Sequence, residues 1–318
     1  MYIISYFWGM SRMYDEILSN IRDMLPQRDP EGNKGSFGHV LSVCGCERYQ
    51  GAAVLAALGA VHCGAGLVTA AFPRPIYAPV AAKLTVTPLL PLPGNRQGTL
   101  HVSALPALRE ALEGKASVLL GCGLGLNADT REIVRTLLGE TACPLVLDAD
   151  GINAVAAHMD SLKANPNRPL ILTPHPGEMA RLTGLTIEEI ERERESTAIK
   201  FAQEHGCVLV LKGARTVIAA PGRVAFTSPL PPNSGMAKGG SGDLLAGMTA
   251  SLLAQGMEAF EASVCAVLLH GLAGLRAMER HSARGMTALD CVDELKGLLS
   301  LFEFHPNESA DSPGTPEG

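Results

Sequence analysis

Aromatic side chains are scarce in this chain: 4% of 318 residues, with one Trp, against 34 Gly. A core so short of large rings relies on close packing of helices on a sheet through small residues. Charge is also scarce. Charged residues are 18% and apolar residues 47%, which excludes a disordered chain. The net charge of −6 argues against nucleic acid as a partner, and a soluble enzyme acting on small molecules fits better. None of the eight cysteines forms a Cys-x-x-Cys pair, and no His is spaced around them as zinc sites require. They read as free thiols of a cytoplasmic protein, most of them buried, with Cys44-Gly45-Cys46 placed in a strand-end loop. Membrane signals are lacking too. The apolar segment from Met1 to Met10 is too short to span a bilayer and has no basic flank or cleavage site. Met10 and Met13 are alternative starts, and no other run approaches the length of a membrane helix.

What is present is a repeating strand–helix rhythm. His39 to Gly45 is a short apolar run ending in glycine, Gly51 to Gly64 a small-residue helix, and Gly66 to Phe72 the next strand. Short connections between such elements mark a parallel sheet with helices packed on it. Strands are predicted again at 117–121, 144–148, 170–173 and 207–212. Helices follow at 129–138, 151–157 and 177–182, and a charged one at 186–205. Then Thr216 to Ala220, a Pro221-Gly222 turn and Arg223 to Thr227 predict an antiparallel hairpin. Helices near 243–255, 258–280 and 287–301 close the chain. The expected organisation is a lead-in over 1–33, partly disordered with a short helix from Tyr14 to Leu25, one α/β domain over 34–303, and a disordered tail over 304–318.

Ligands of such sheets bind beyond the carboxyl ends of the strands. There the sequence places Gly121-Cys122-Gly123-Leu124-Gly125, Asp148-Ala149-Asp150, Thr173-Pro174-His175-Pro176-Gly177-Glu178, Lys212-Gly213 and a glycine loop, Gly239-Gly240-Ser241-Gly242-Asp243. The last feeds an apolar helix, so its free N–H groups suit an anion, with Asp243 beside them to take a hydroxyl proton. The same residues also suit a tight turn with Asp243 as N-cap. The 121–125 loop is not a dinucleotide fingerprint, because its third glycine comes one residue early; close approach to a ligand and a plain turn explain it equally. Asp150 reads as an N-cap, while Asp148 is free to face the site. His175 can donate to a ligand oxygen. Glu178 can hold a Mg²⁺-bound water, or simply favour the first helical turn. Lys212, leaving an apolar strand, suits a phosphate. With no Walker A lysine and no Ser–His or Cys–His pair, this set points to phosphoryl transfer by positioning and charge.

These segments, with Gly35-Ser36-Phe37-Gly38-His39-Val40, Gly51 to Ala57 and Gly64-Ala65-Gly66-Leu67-Val68, resemble the ADP-dependent NAD(P)H-hydrate dehydratases of the ribokinase-like superfamily over residues 30–300. The resemblance implies a ribokinase-like three-layer α/β fold: a mostly parallel sheet, helices on both faces and a late hairpin. It implies ADP-driven phosphorylation of the ring hydroxyl of the S form of NADH or NADPH hydrate, followed by loss of phosphate, with AMP as product. It implies Asp243 as base, also in contact with the hydrate. Lys212, Gly213, Ala214, Arg215, Thr216, Gly239, Gly240, Ser241 and Gly242 would meet the nucleotide. Ala53, Gly123, Gly125 and His175 would meet the hydrate. It further implies Mg²⁺, ADP or ATP as co-substrate, a homotetramer, and a separately encoded epimerase as functional partner. Departures are Cys122 for Pro, Lys238 for Thr, Ser234 for Pro, and Cys44-Gly45-Cys46 for a glycine–serine stretch. Lys238 is expected to add a cation beside the phosphate loop. At the helix start, Asp243 is expected to be a weak base. A vitamin-precursor kinase of the same superfamily and an inactive nucleotide-binding protein are the alternatives.

Overall fold

The computed structural model describes residues 14–163 and 167–302. Its centre is a nine-stranded sheet in the order β3-β2-β1-β4-β5-β6-β7-β8-β9. The strands are β1 (His39–Val43), β2 (Leu67–Pro73), β3 (Leu89–Leu92), β4 (Ser117–Leu120), β5 (Leu145–Leu147), β6 (Leu170–Leu172), β7 (Val208–Leu211), β8 (Val217–Ala219) and β9 (Phe226–Thr227). β1 to β7 pair in parallel, and β7-β8-β9 run antiparallel, so the expected hairpin is present, with Ile218 opposite Phe226.

Strands buried on both faces read as continuous apolar runs, and their side chains alternate between two cores. Val40, Leu119, Val146, Ile171 and Val208 join one core; Leu41, Leu120, Leu147, Leu172 and Leu209 join the other. The first core is covered by α1 (residues 14–24), α2 (Gln50–His62), the short α3 (Tyr77–Ala81), α10 (Ser241–Ala254), α11 (Ala259–Gly285) and α12 (Ala288–Leu299). The second lies under α4 (Leu105–Leu112), α5 (Ala128–Glu140), α6 (Asp150–Val155), α7 (Pro176–Thr183) and α9 (Arg194–His205). This is the expected three-layer arrangement.

Small residues decide the closest helix contact. A Cβ on Gly247 of α10 would lie 2.1 Å from the Ala56 carbonyl, and one on Gly59 of α2 2.4 Å from that of Leu244. Only glycine lets the two helix backbones approach this far. That contact fixes the height of the 239–243 loop over the sheet.

Four expectations change. Residues 14–24 form a helix whose Ile17 and Ile21 sit in the first core, so the folded unit begins well before Lys34. The charged helix expected at 186–205 is two, α8 (Ile187–Arg192) and α9, separated at Glu193, whose φ of −129° and ψ of 48° are not helical. β3 carries no sequence signal, because Pro91 removes an N–H; as an edge strand it tolerates the loss. α11 has 27 residues, and its most apolar 18-residue window, with a mean hydropathy of 1.3, is long and apolar enough to span a membrane, but 83% of that window is buried inside the fold. The disorder expected in residues 1–13 and 304–318 lies outside the described residues.

Candidate active site

The chain builds β1, β2 and β3 outward in one direction, then returns to place β4 beside β1 and builds β5 to β7 in the other. The crevice where the order reverses is the natural ligand position of an open parallel sheet. Its floor is the turn after β1 and the turn after β4: the Gly45 N–H donates to the Cys122 carbonyl, and the Gly121 N–H to the Val43 carbonyl. Gly121 has φ +136°, and a Cβ there would lie 1.9 Å from the Asp148 carbonyl. The glycine is therefore required for three strand ends to meet.

Above this floor lies a buried polar cluster. Asp148, 1% exposed, accepts from Lys212 Nζ at 2.7 Å and from the Thr173 hydroxyl at 2.6 Å; its other oxygen faces the Cys122 thiol at 3.4 Å. The ligating atoms of Cys122, Asp148 and Asp243 all lie within 4.8 Å of one another. Burial alone would pull the Lys212 ammonium down, but Asp148 and Glu178 outweigh it and hold its pKa above the ordinary value. The lysine is thus a fixed cation. Its backbone is fastened as well: its N–H donates to the Pro174 carbonyl, and Arg194 Nη2 reaches the Leu211 and Lys212 carbonyls at 2.8 and 3.0 Å.

Asp243 is the third residue of α10, not its cap; the capping position is Gly240, at φ +98°. Burial, reinforced by Asp148 and opposed by Lys212 and the Cys122 thiol, raises the Asp243 pKa to about 6. This corrects the weak base expected from the helix terminus: desolvation outweighs the helix end. A base titrating there is well matched to neutral pH.

A cavity of about 730 Å³ opens beside this cluster. Its wall includes Lys212, Gly213, Ala214, Thr216, Gly239, Ser241 and Gly242, seven of the expected nucleotide contacts. Gly240 and the exposed Arg215 are not in that wall. The far wall, with Leu230, Pro231, Met236, Leu245 and Val267, offers an apolar slot fit for a base. His270 also lines it, facing the Ser241 hydroxyl at 3.4 Å. Burial and the Lys212 charge press its pKa down to about 4, so it is neutral at pH 7. Sequence reading missed His270, whose one signal is a lone imidazole inside the apolar run of α11.

The residues expected to meet the hydrate divide. Gly123 (φ +61°) and Gly125 (φ +74°) lie along the ledge after β4, where a Cβ on Gly123 would strike Tyr49 and Ala52 at 2.7 Å. Ala53 is 1% exposed and sits beneath Gly45. His175 lies in the wall of the nucleotide cavity and caps α7: its Nδ1 accepts from the Gly177 and Glu178 N–H groups, and its Nε2 faces a Glu178 oxygen at 3.3 Å. Glu178 takes the His175 N–H at 2.8 Å and stands 3.9 Å from Lys212. It is 4% exposed and not in the cavity wall. With Lys212 already between Asp148 and Glu178, these carboxylates do not fit a resident Mg²⁺. Asp150 is not an N-cap either; it accepts the Gly125 N–H at 2.8 Å and so steadies the ledge. Lys238 borders the cavity, but its Nζ is held by the Arg284 and Met286 carbonyls at 2.6 and 2.5 Å. It clasps the end of α11 rather than charging the phosphate loop.

The profile of the NAD(P)H-hydrate dehydratase family matches residues 40–296. The chain belongs to that family. It is 42% identical over 282 residues to a bifunctional NAD(P)H-hydrate repair enzyme of Moorella thermoacetica, covering 89% of this chain and 53% of the relative. It is 32% identical over 286 residues to the ADP-dependent (S)-NAD(P)H-hydrate dehydratase of Bacillus subtilis, covering 89% and 97%. A ribokinase-like superfamily protein of Enterococcus faecalis superposes with a TM-score of 0.79 at 26% identity, over 90% of this chain and 95% of that one. The fold is ribokinase-like, as expected. The chain spans about half the length of the bifunctional relatives it matches.

Proposed function

We propose that this protein dehydrates the S form of NADH hydrate and NADPH hydrate, with ADP converted to AMP and phosphate. The carrying observation is the position of Asp243. It stands between the cavity that suits an adenine nucleotide and the glycine ledge at the reversal of strand order. The ring hydroxyl of the hydrate loses its proton to Asp243 as its oxygen attacks the terminal phosphorus of ADP. The oxygen–phosphorus bond forms and AMP leaves. Lys212 and the N–H groups opening α10 face the charge that develops on the phosphoryl oxygens. The phosphate ester is a good leaving group where hydroxide is not. It departs with a ring proton, restoring the nicotinamide double bond. Mg²⁺ would come with ADP as the counter-ion of its phosphates, where it needs few protein carboxylates because it keeps its waters.

The protein is read as cytoplasmic, in keeping with eight free thiols, and as a homotetramer. An epimerase would supply the S form.

The test is recovery of reduced-nicotinamide absorbance from hydrated NADH, with ADP and with ATP, for the wild type and Asp243→Asn. The variant should lose turnover while binding ADP within a few-fold of the wild type. Wild-type turnover should fall on the acid side of about pH 6, where Asp243 takes up a proton. Undiminished turnover in the variant removes Asp243 from the mechanism. Stable phosphorylation of a vitamin-precursor alcohol, with hydrated NADH untouched, replaces the dehydratase with a small-molecule kinase.

A further inference from the structure

A second cavity, of about 630 Å³, lies at the same edge of the sheet on the opposite side of Asp243 from the nucleotide cavity. Pro93 and Gly94 follow the carboxyl end of β3, Gly94 packs on Pro73 and Pro75 at the end of β2, and Asn127 follows the ledge after β4. The strand order therefore sets out a line along the carboxyl edge: this cavity, the 123–125 ledge, the Cys122–Asp148–Asp243 cluster, Lys212, and the nucleotide cavity. Its size falls within the usual range for a small-ligand site.

The cavity joins the ledge directly. A Cβ on Gly125 would lie 2.8 Å from the Thr99 side chain, and Asn127 Nδ2 donates to Thr99 and Gln97 at 2.7 and 2.8 Å. From Gly123 to Asn127 is four residues, at most about 14 Å of chain. That upper limit puts the cavity no farther from the ledge than the extended length of a dinucleotide. The rim is already rigid: Asn95 Oδ1 accepts the Gln97 and Thr99 N–H groups, and Gly94 bridges Leu100. Asp129 does not oppose an anion there, because its oxygens take the Asn95 amide at 2.7 Å and the Val102 N–H at 3.4 Å. Arg96 is exposed in the wall, which His101 also lines, and has no acidic partner among the described residues.

We propose that this cavity holds the adenosine half of the dinucleotide substrate, with Arg96 pairing a phosphate of that half. The inference rests on the dehydratase reading: only the nicotinamide half reacts at Asp243, so the other half must lie away from the ADP cavity. A fixed rim lowers the ordering cost of binding, and an Arg–phosphate pair is charge-assisted.

The experiment compares two substrates, hydrated NADH and hydrated reduced nicotinamide mononucleotide, which lacks the adenosine half. Arg96→Ala should lower kcat/KM for hydrated NADH about tenfold and leave the mononucleotide within about twofold. Ser103→Trp, which fills the cavity from an exposed position, should do the same. Equal losses on both substrates, or none on either, overturn the subsite while the dehydratase reading stands. A wild-type protein inert on both hydrates overturns the two together.

Discussion

Glu178 offers a stability test that needs no substrate. Its carboxyl is 4% exposed, and burial, against the pull of Lys212, raises its pKa from 4.5 to about 7. In the unfolded chain it returns to the ordinary value. Between those two pKa values the folded protein holds a proton that the unfolded chain has lost, so stability falls as pH rises. The gap is 7 minus 4.5, about 2.5 pH units, which caps the effect at about 3 kcal/mol. Part of the change is already complete at about pH 5, so about 2 to 3 kcal/mol remains between there and about pH 8. Glu178→Gln removes the charge and keeps an oxygen for the His175 N–H. Urea unfolding of both proteins, without nucleotide or metal, should show the variant gaining on the wild type by that amount across the interval. Asp243 titrates in both proteins and cancels in the difference. If the difference between them is the same at both ends of the range, burial does not control this carboxyl and the electrostatic account of the cluster is wrong.

Two further outcomes follow from the loop. Lys238→Ala should cost about 1 kcal/mol in unfolding, because exposed charge-assisted bonds to the Arg284 and Met286 carbonyls are lost. The KM for ADP, measured by steady-state kinetics, should stay within about twofold; a larger rise would return Lys238 to the phosphates. Gly240→Ala forces a side chain to φ +98° and to 2.3 Å from Leu55, so the loop must shift. Titration calorimetry should show ADP binding weakened by about tenfold, since left-handed backbone costs about 1–2 kcal/mol in a residue with a Cβ.

The fold was legible in the sequence wherever burial is two-sided. β1, β4, β5, β6 and β7 are apolar runs ended by Gly, Asp, Thr or Lys, and their order along the chain implies a parallel sheet. The hairpin was legible from its Pro-Gly turn. β3 was not, because an edge strand need not be apolar or donate every N–H. The glycine loop and its Asp were legible as a pair because a helix start, an anion and a carboxylate follow from local chain geometry. Lys212 was legible as a cation at a strand end, but its partner was not, since Asp148 lies 64 positions away.

What the sequence alone determined, then, is the alternation of elements, the family, and which residues stand at strand ends. All of these depend on local spacing and side-chain type. Only the tertiary structure decided how those residues are charged and what they face. Desolvation raises Asp243 to about 6 against its helix terminus, and Lys238 turns away from the phosphate loop to the end of α11. Burial and through-space charge arise only once distant segments share one low-dielectric volume.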